Sequence, residues 1–188
     1  AMWKSTARLV GMLYAIMAFA VGVGAQDLPS SAEAKEVTAE GKLVACSLEF
    51  TIAFRDQIYK AGSIAAVTGS INLWNSEGNK LHASFKLVGA DIAGPAPSHF
   101  KVNAAHVFDA SGKPHYSVPI NCENENNFCA GMRADAFLDI LSEVAERGSV
   151  RMAFNRKPGG MDVPVVLSVP PDVGMQLAEC ASNLASRD

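Results

Sequence analysis

The chain has 188 residues, four cysteines, 49% hydrophobic residues and a formal net charge of −3. That is enough chain for a domain with a substantial core. A weakly acidic balance with no basic cluster argues against nucleic acid and anionic membrane surfaces as partners.

Residues 1–25 read as an export signal. Lys4 and Arg8 form a short basic region, residues 9–24 carry no charge, and Val23-Gly24-Ala25 is a small-residue end before Gln26. The apolar stretch is short of the roughly 20 residues that span a bilayer. A cleaved signal peptide is therefore the expectation, with retention as an uncleaved anchor as the alternative. Loss of Lys4 and Arg8 takes the net charge from −3 to −5. Residues 26–42 are polar and small and read as a flexible linker, which leaves 43–188 as a single β-rich domain.

Residues 43–54 are rich in β-formers, with Leu48, Phe50 and Ile52 at period two. A second strand is expected over 64–74, broken by Gly69. Residues 75–79 (Asn-Ser-Glu-Gly-Asn) form a turn, and 81–88 return as the next strand of a hairpin. Residues 94–97 (Gly-Pro-Ala-Pro) are a loop. Residues 100–108 alternate, with Phe100, Val102, Ala104, His106 and Phe108 on one face. Residues 109–114 (Asp-Ala-Ser-Gly-Lys-Pro) turn the chain into a short strand over 115–120.

The period then changes. Over 133–147 a helix is expected with Ala134, Phe137, Leu138, Leu141, Val144 and Ala145 inward and Gly148 as its C-terminal cap. Residues 149–154 and 163–169 are strands around a Pro158-Gly-Gly160 turn. Pro170-Pro171 opens a last helix with Val173, Leu177, Cys180, Ala181 and Leu184 inward. The fold class is α+β: a mostly antiparallel, sandwich-like sheet core with two C-terminal helices, disulfide-bonded.

All four cysteines follow the apolar leader, and an even count in an exported chain argues for two disulfides among three pairings. Cys122 and Cys129 flank six residues, nearly all polar. A bridge there clips a tight connection and contributes about 2.5 kcal/mol by loop entropy. The spacing is not the C-x2-C of zinc or redox sites. Cys46 and Cys180 remain by elimination, either as a bridge contributing about 5 kcal/mol at most or as buried thiols.

The four histidines, His82, His99, His106 and His115, have no metal-binding spacing, and His106 reads as a hydrogen-bonded core histidine. The acids over 123–125 and 135–146 lack the EF-hand pattern. Neither a nucleophile elbow nor a P-loop occurs. No catalytic, cofactor-binding or metal residue is assigned, and no cofactor is expected. Phe54, Tyr59, Phe100 and Trp74 read mainly as core; Trp74, beside a turn, is the aromatic expected to be most exposed.

The order of features in the C-terminal half resembles the invasion-associated locus B family of exported bacterial envelope proteins. Its parts are the alternating strand 100–108, the turn 109–114 and the strand 116–120. They continue with Cys122 to Cys129 followed by Ala130, the helix 134–146, Gly148-Ser149, Gly159-Gly160 and the strand 165–169. The resemblance implies a β-rich envelope protein without catalytic residues, associated in some pathogens with host-cell entry.

The resulting expectation is a non-enzymatic periplasmic or secreted domain that binds an unidentified protein partner. A membrane contact is expected only if residues 9–25 are retained; the chain would then be an accessory subunit of a membrane complex. A carrier of a small hydrophobic ligand is the further alternative.

Overall fold

The computed structural model describes residues 28–76 and 80–186. The leader, and with it the question of cleavage or anchoring, lies outside the described residues, as does the tip of the turn at 77–79.

Ten strands and two helices follow in order. They are β1 (Ser30–Ala39), β2 (Lys42–Asp56), β3 (Ser63–Ser76), β4 (Lys80–Asp91), β5 (Ser98–Phe100), β6 (Ala104–Val107), β7 (Ser117–Ile120) and β8 (Phe128–Met132). Helix α1 (Ala134–Arg147), β9 (Ser149–Asn155), β10 (Val163–Ser168) and α2 (Pro171–Ala185) complete the chain. The larger sheet has the order β1-β2-β3-β4-β8-β7, with β5 also on β4; the smaller has the order β10-β9-β6. Every pairing is antiparallel. The α+β class is therefore as the sequence implies.

Alternation builds the large sheet. On β2, Leu48, Phe50, Ile52 and Phe54 point inward and are buried, while Glu49, Thr51 and Ala53 point outward. β3 runs unbroken through Gly69. A Cβ at Gly69 would lie 2.2 Å from the Lys86 carbonyl oxygen and 2.7 Å from the Phe50 ring. Glycine here permits close approach instead of ending the strand. Gly89 plays the same part under the Phe100 ring.

The core lies between the inner face of the large sheet and a second layer of both helices and the small sheet. Phe54 and Phe154 join the two sheets edge to face, 5.6 Å between centroids. Helix α2 packs on β1, β2 and β3, and α1 packs on β3, β4, β9 and α2. Leu177, Cys180, Ala181 and Leu184 form the buried face of α2, as periodicity predicts.

Four further expectations need correction. Residues 30–39 are not a flexible lead-in but strand β1, paired with β2 from Ser30–Ile52 to Ala39–Lys42. Its polar composition hides a half-buried alternation of Ala32 and Ala34, and pairing with β2 supplies its backbone hydrogen bonds. Residues 100–108 are not one alternating strand. The chain leaves the sheet at 101–103, where Val102 N donates to Asn126 O and Asn103 N to Asn155 O. The period restarts one step over, so Val102, Ala105 and Val107 are buried and His106 is a half-buried side chain on the other face. On α1 the buried face is Ala136, Phe137, Ile140, Glu143 and Val144, and Leu138 is exposed. Finally, residues 128–132 add a strand, β8, between β4 and β7.

Candidate interaction surface

The helices and the small sheet cover one face of the large sheet only. Register defines the other, outer face. One row across it is Glu33, Glu49, Ser70, Lys86, Cys129 and Ile120. The next is Lys35, Ser47, Asn72, Ser84, Gly131 and Val118.

From β1 to β4 the middle of this face is polar and internally bonded, with Val37, Trp74 and Val88 as apolar members around it. Ser47 Oγ donates to Asn72 Oδ1 at 2.7 Å, and Asn72 Nδ2 donates to Ser70 Oγ and Ser84 Oγ. Thr51 and Thr68 hydroxyls meet at 3.3 Å. Lys35 bonds Glu49, which holds its ammonium above the ordinary lysine range. These cross-strand pairs hold the strands in register without an apolar cover. A groove of about 630 Å³ runs over this region, between Ser31, Thr51, Thr68 and Lys86. It is open to solvent, unlike the enclosed apolar cavity a lipid carrier needs. Trp74, the aromatic expected at the surface, is half-buried here and stacks on His82 at 5.7 Å. Ser76 Oγ lies 2.9 Å from His82 Nε2.

The outer face changes character at β7. Val118 and Ile120 point outward from this edge strand, and Tyr116 precedes them in the same alternation. Their exposures are 75% for Tyr116, 49% for Val118 and 52% for Ile120. Three consecutive outward positions are thus apolar and in water. Two devices hold the stripe in place. The Cys122–Cys129 bridge closes the loop next to Ile120, since Cys129 pairs with Ile120 across β7 and β8. The turn before the stripe is fixed by Asp109, whose Oδ1 accepts from Ser111 N, Ser111 Oγ and Lys113 N. The Ser111 hydroxyl is the main reason that the Asp109 carboxyl sits below the usual carboxylate range.

The second bridge is Cys46–Cys180, Cα to Cα 5.9 Å, which ties α2 to β2 in the core. No cysteine is free. Two bridges using every cysteine fit an oxidising, non-cytoplasmic compartment. Among the described residues no helix is long and apolar enough to cross a membrane.

Sequence reasoning missed the charge cluster that joins the two layers. Arg156 follows β9, and its side chain is only 8% exposed. Its guanidinium is 2.7 Å from Asp56 Oδ2 and 2.9 Å from Asp91 Oδ1, and it lies over the Phe100 ring at 3.5 Å. The Asp56 contact is a charge contact, not an aligned hydrogen bond: Asp56 Oδ2 and Arg156 Nη2 have no hydrogen-bond partner. Asp56 Oδ1 meanwhile accepts from Ile58 N and Tyr59 N, and Tyr59 Oη donates to Met161 O. Phe54, Phe100 and Tyr59 thus gather around this cluster, away from Trp74. Nothing local in the sequence marks residues 56, 91 and 156 as neighbours. A second buried acid, Glu143, lies 3.7 Å from Arg151 Nη2, which itself donates to Asp109 O.

His106 and His115 line one surface groove with Asp109, Lys113 and Tyr116, a proximity that their spacing does not suggest. His99 is exposed on β5. No group of three or more His, Cys, Asp or Glu side chains able to hold a metal ion occurs among the described residues. Comparison with protein-family models, curated proteins and solved structures finds no match.

Proposed function

We propose that the chain is an exported, non-enzymatic envelope domain that acts by binding a protein partner through the outer face of its large sheet. The observation that carries this reading is the run of exposed Tyr116, Val118 and Ile120 at the β7 edge of a face whose middle is polar and hydrogen-bonded. Aromatic and aliphatic side chains held rigidly in water are the anchors that interfaces use. The apolar leader after Lys4 and Arg8, and the order-of-features resemblance to the invasion-associated locus B family, support a periplasmic or secreted location and an envelope role.

The test is affinity capture from the native envelope, comparing the wild-type chain with Val118→Asp and Ile120→Asp variants. The same mass-spectrometric bait profile with all three would refute the surface. Turnover by the purified protein in a broad hydrolase and redox panel would refute the non-enzymatic reading.

A further inference from the structure

The two bridges sit in opposite surroundings. Cys46 and Cys180 are in the core, 0% and 1% exposed. Cys122 and Cys129 are half-buried, and Cys129 points to the outer face of the large sheet, which the helices and the small sheet leave uncovered. Thiol exchange begins when a thiolate reaches a disulfide sulfur, so access decides which bridge reacts. The outer bridge can be attacked in the folded protein. The core bridge can be attacked only after the layers separate.

The segment that carries the outer bridge has little else to hold it. At one end His115 N donates to Val107 O, and at the other Phe128 is buried against Phe85, 6.3 Å between centroids. Between these fixed points, residues 116–127 contain no buried side chain. Strand β7 has four residues, pairs with β8 at the end of the sheet, and includes Pro119, which has no N–H to donate. Beyond it, Val102 N donates to Asn126 O and ties the bridged loop to the connection between β5 and β6. A short ladder without buried contacts has low local stability. The Cys122–Cys129 bond is the covalent cross-link within this segment's reach.

We propose that the Cys122–Cys129 bridge is a redox-sensitive clip: a dithiol reductant opens it in the folded protein while Cys46–Cys180 stays closed, and opening releases residues 116–127 from the sheet. A thiolate of the reductant attacks one sulfur of the bridge, a mixed disulfide forms, and the other cysteine leaves as a thiolate. The second thiol of the reductant then attacks its own sulfur in the mixed disulfide and releases the first cysteine. The reductant ends as an intramolecular disulfide, and its two electrons and two protons end on the Cys122 and Cys129 thiols. The pair is the target of the exchange and not its catalyst, since C-x6-C is not an oxidoreductase spacing. The clip operates whatever the Tyr116, Val118 and Ile120 stripe binds.

The experiment treats protein purified after expression of the full-length sequence with dithiothreitol in native buffer, without denaturant. Freed thiols are alkylated at intervals and located by peptide mass spectrometry. Cys122 and Cys129 should be labelled roughly tenfold or more faster than Cys46 and Cys180. Amide hydrogen exchange on the half-reduced protein should then rise over residues 116–127 and at the Val102 amide, whose acceptor is Asn126 O, and stay unchanged in β2, β3 and α2. Reoxidation should restore the original exchange pattern. A double variant, Cys122→Ser with Cys129→Ser, should show the released pattern from the start and no further response to dithiothreitol. Should that variant fail to fold, reduction of the wild-type chain alone decides. Both bridges opening at the same rate overturns the proposal. So does a reduced clip with unchanged exchange over 116–127, or a rise in exchange spread through the whole chain.

Discussion

The two faces of the large sheet are made by the same strands and obey different rules. Inward, β2 presents Leu48, Phe50, Ile52 and Phe54, and across from them lie Phe154, α1 and α2. Outward, the same strand presents Ser47, Glu49 and Thr51, each bonded to a neighbour on β1 or β3. The inner face is constrained by volume, because interiors are close-packed and tolerate little change. The outer face is constrained only by register. A face free of packing duty can carry a binding surface, and β7 is where its side chains depart from the polar pattern.

That contrast can be broken at graded points. The largest effect is expected from replacing both Cys46 and Cys180 with Ser, which releases a 134-residue separation. The loss should approach but not exceed about 5 kcal/mol, read as a lower denaturation midpoint. Next comes Arg156→Met, which strands Asp56 as an uncompensated buried charge; a cost of about 3–5 kcal/mol is expected by chemical denaturation. Asp56→Asn, which keeps the acceptor for Ile58 N and Tyr59 N, should cost less than Asp56→Ala.

Replacing both Cys122 and Cys129 with Ser should cost about 2.5 kcal/mol. Its distinguishing sign is faster amide exchange confined to β7 and the 122–129 loop. Single changes in the polar network, such as Ser70→Ala or Thr68→Ala, should stay within about 0.5 kcal/mol. A cost above 2 kcal/mol at either would contradict the contrast between the faces.

The smallest effect is electrostatic. Asp109 is held below the ordinary carboxylate range in the folded state, chiefly by Ser111. A depressed folded pKa contributes stability that is present above the unfolded pKa and is lost as pH falls through the folded value. Carboxyl chemical shifts should therefore show Asp109 titrating below a free aspartate, and Ser111→Ala should move its midpoint upward.

The fold was legible where one face of an element meets the core. β2, the hairpin of β3 and β4, the small sheet's β9 and β10, and α2 all follow from periodicity. The Cys122–Cys129 bridge follows from its short polar insert, whereas the sequence leaves Cys46 and Cys180 open between a bridge and buried thiols until the fold brings α2 onto β2. β1 was not legible, because alanine alternating with glutamate and lysine resembles a linker until β2 lies beside it. β8 (Phe-Cys-Ala-Gly-Met) lacks β-branched residues, and its place between β4 and β7 depends on non-local pairing. The α1 face is rotated because Ala136 and Ile140, instead of Leu138 and Leu141, join Phe137 and Val144 in the core, which also carries Glu143 inward to 3.7 Å from Arg151 of β9. As for the candidate surface, the alternation of Tyr116, Val118 and Ile120 could be read as a strand. That its outer side is uncovered depends on β7 ending the sheet.

The Cys46–Cys180 bridge also sets an order of events. If the chain is exported, as proposed above, amino end first, Cys46 is exposed early to the oxidising compartment. Cys122 and Cys129 arrive before Cys180. During that interval Cys46 has two available wrong partners, and its correct one arrives last. Correct oxidation therefore depends on Cys122 and Cys129 finding each other quickly across their short loop, which removes both competitors. The surface clip then protects the pairing of the core bridge, and a cell with slow thiol exchange should accumulate protein cross-linked at Cys46 to Cys122 or Cys129.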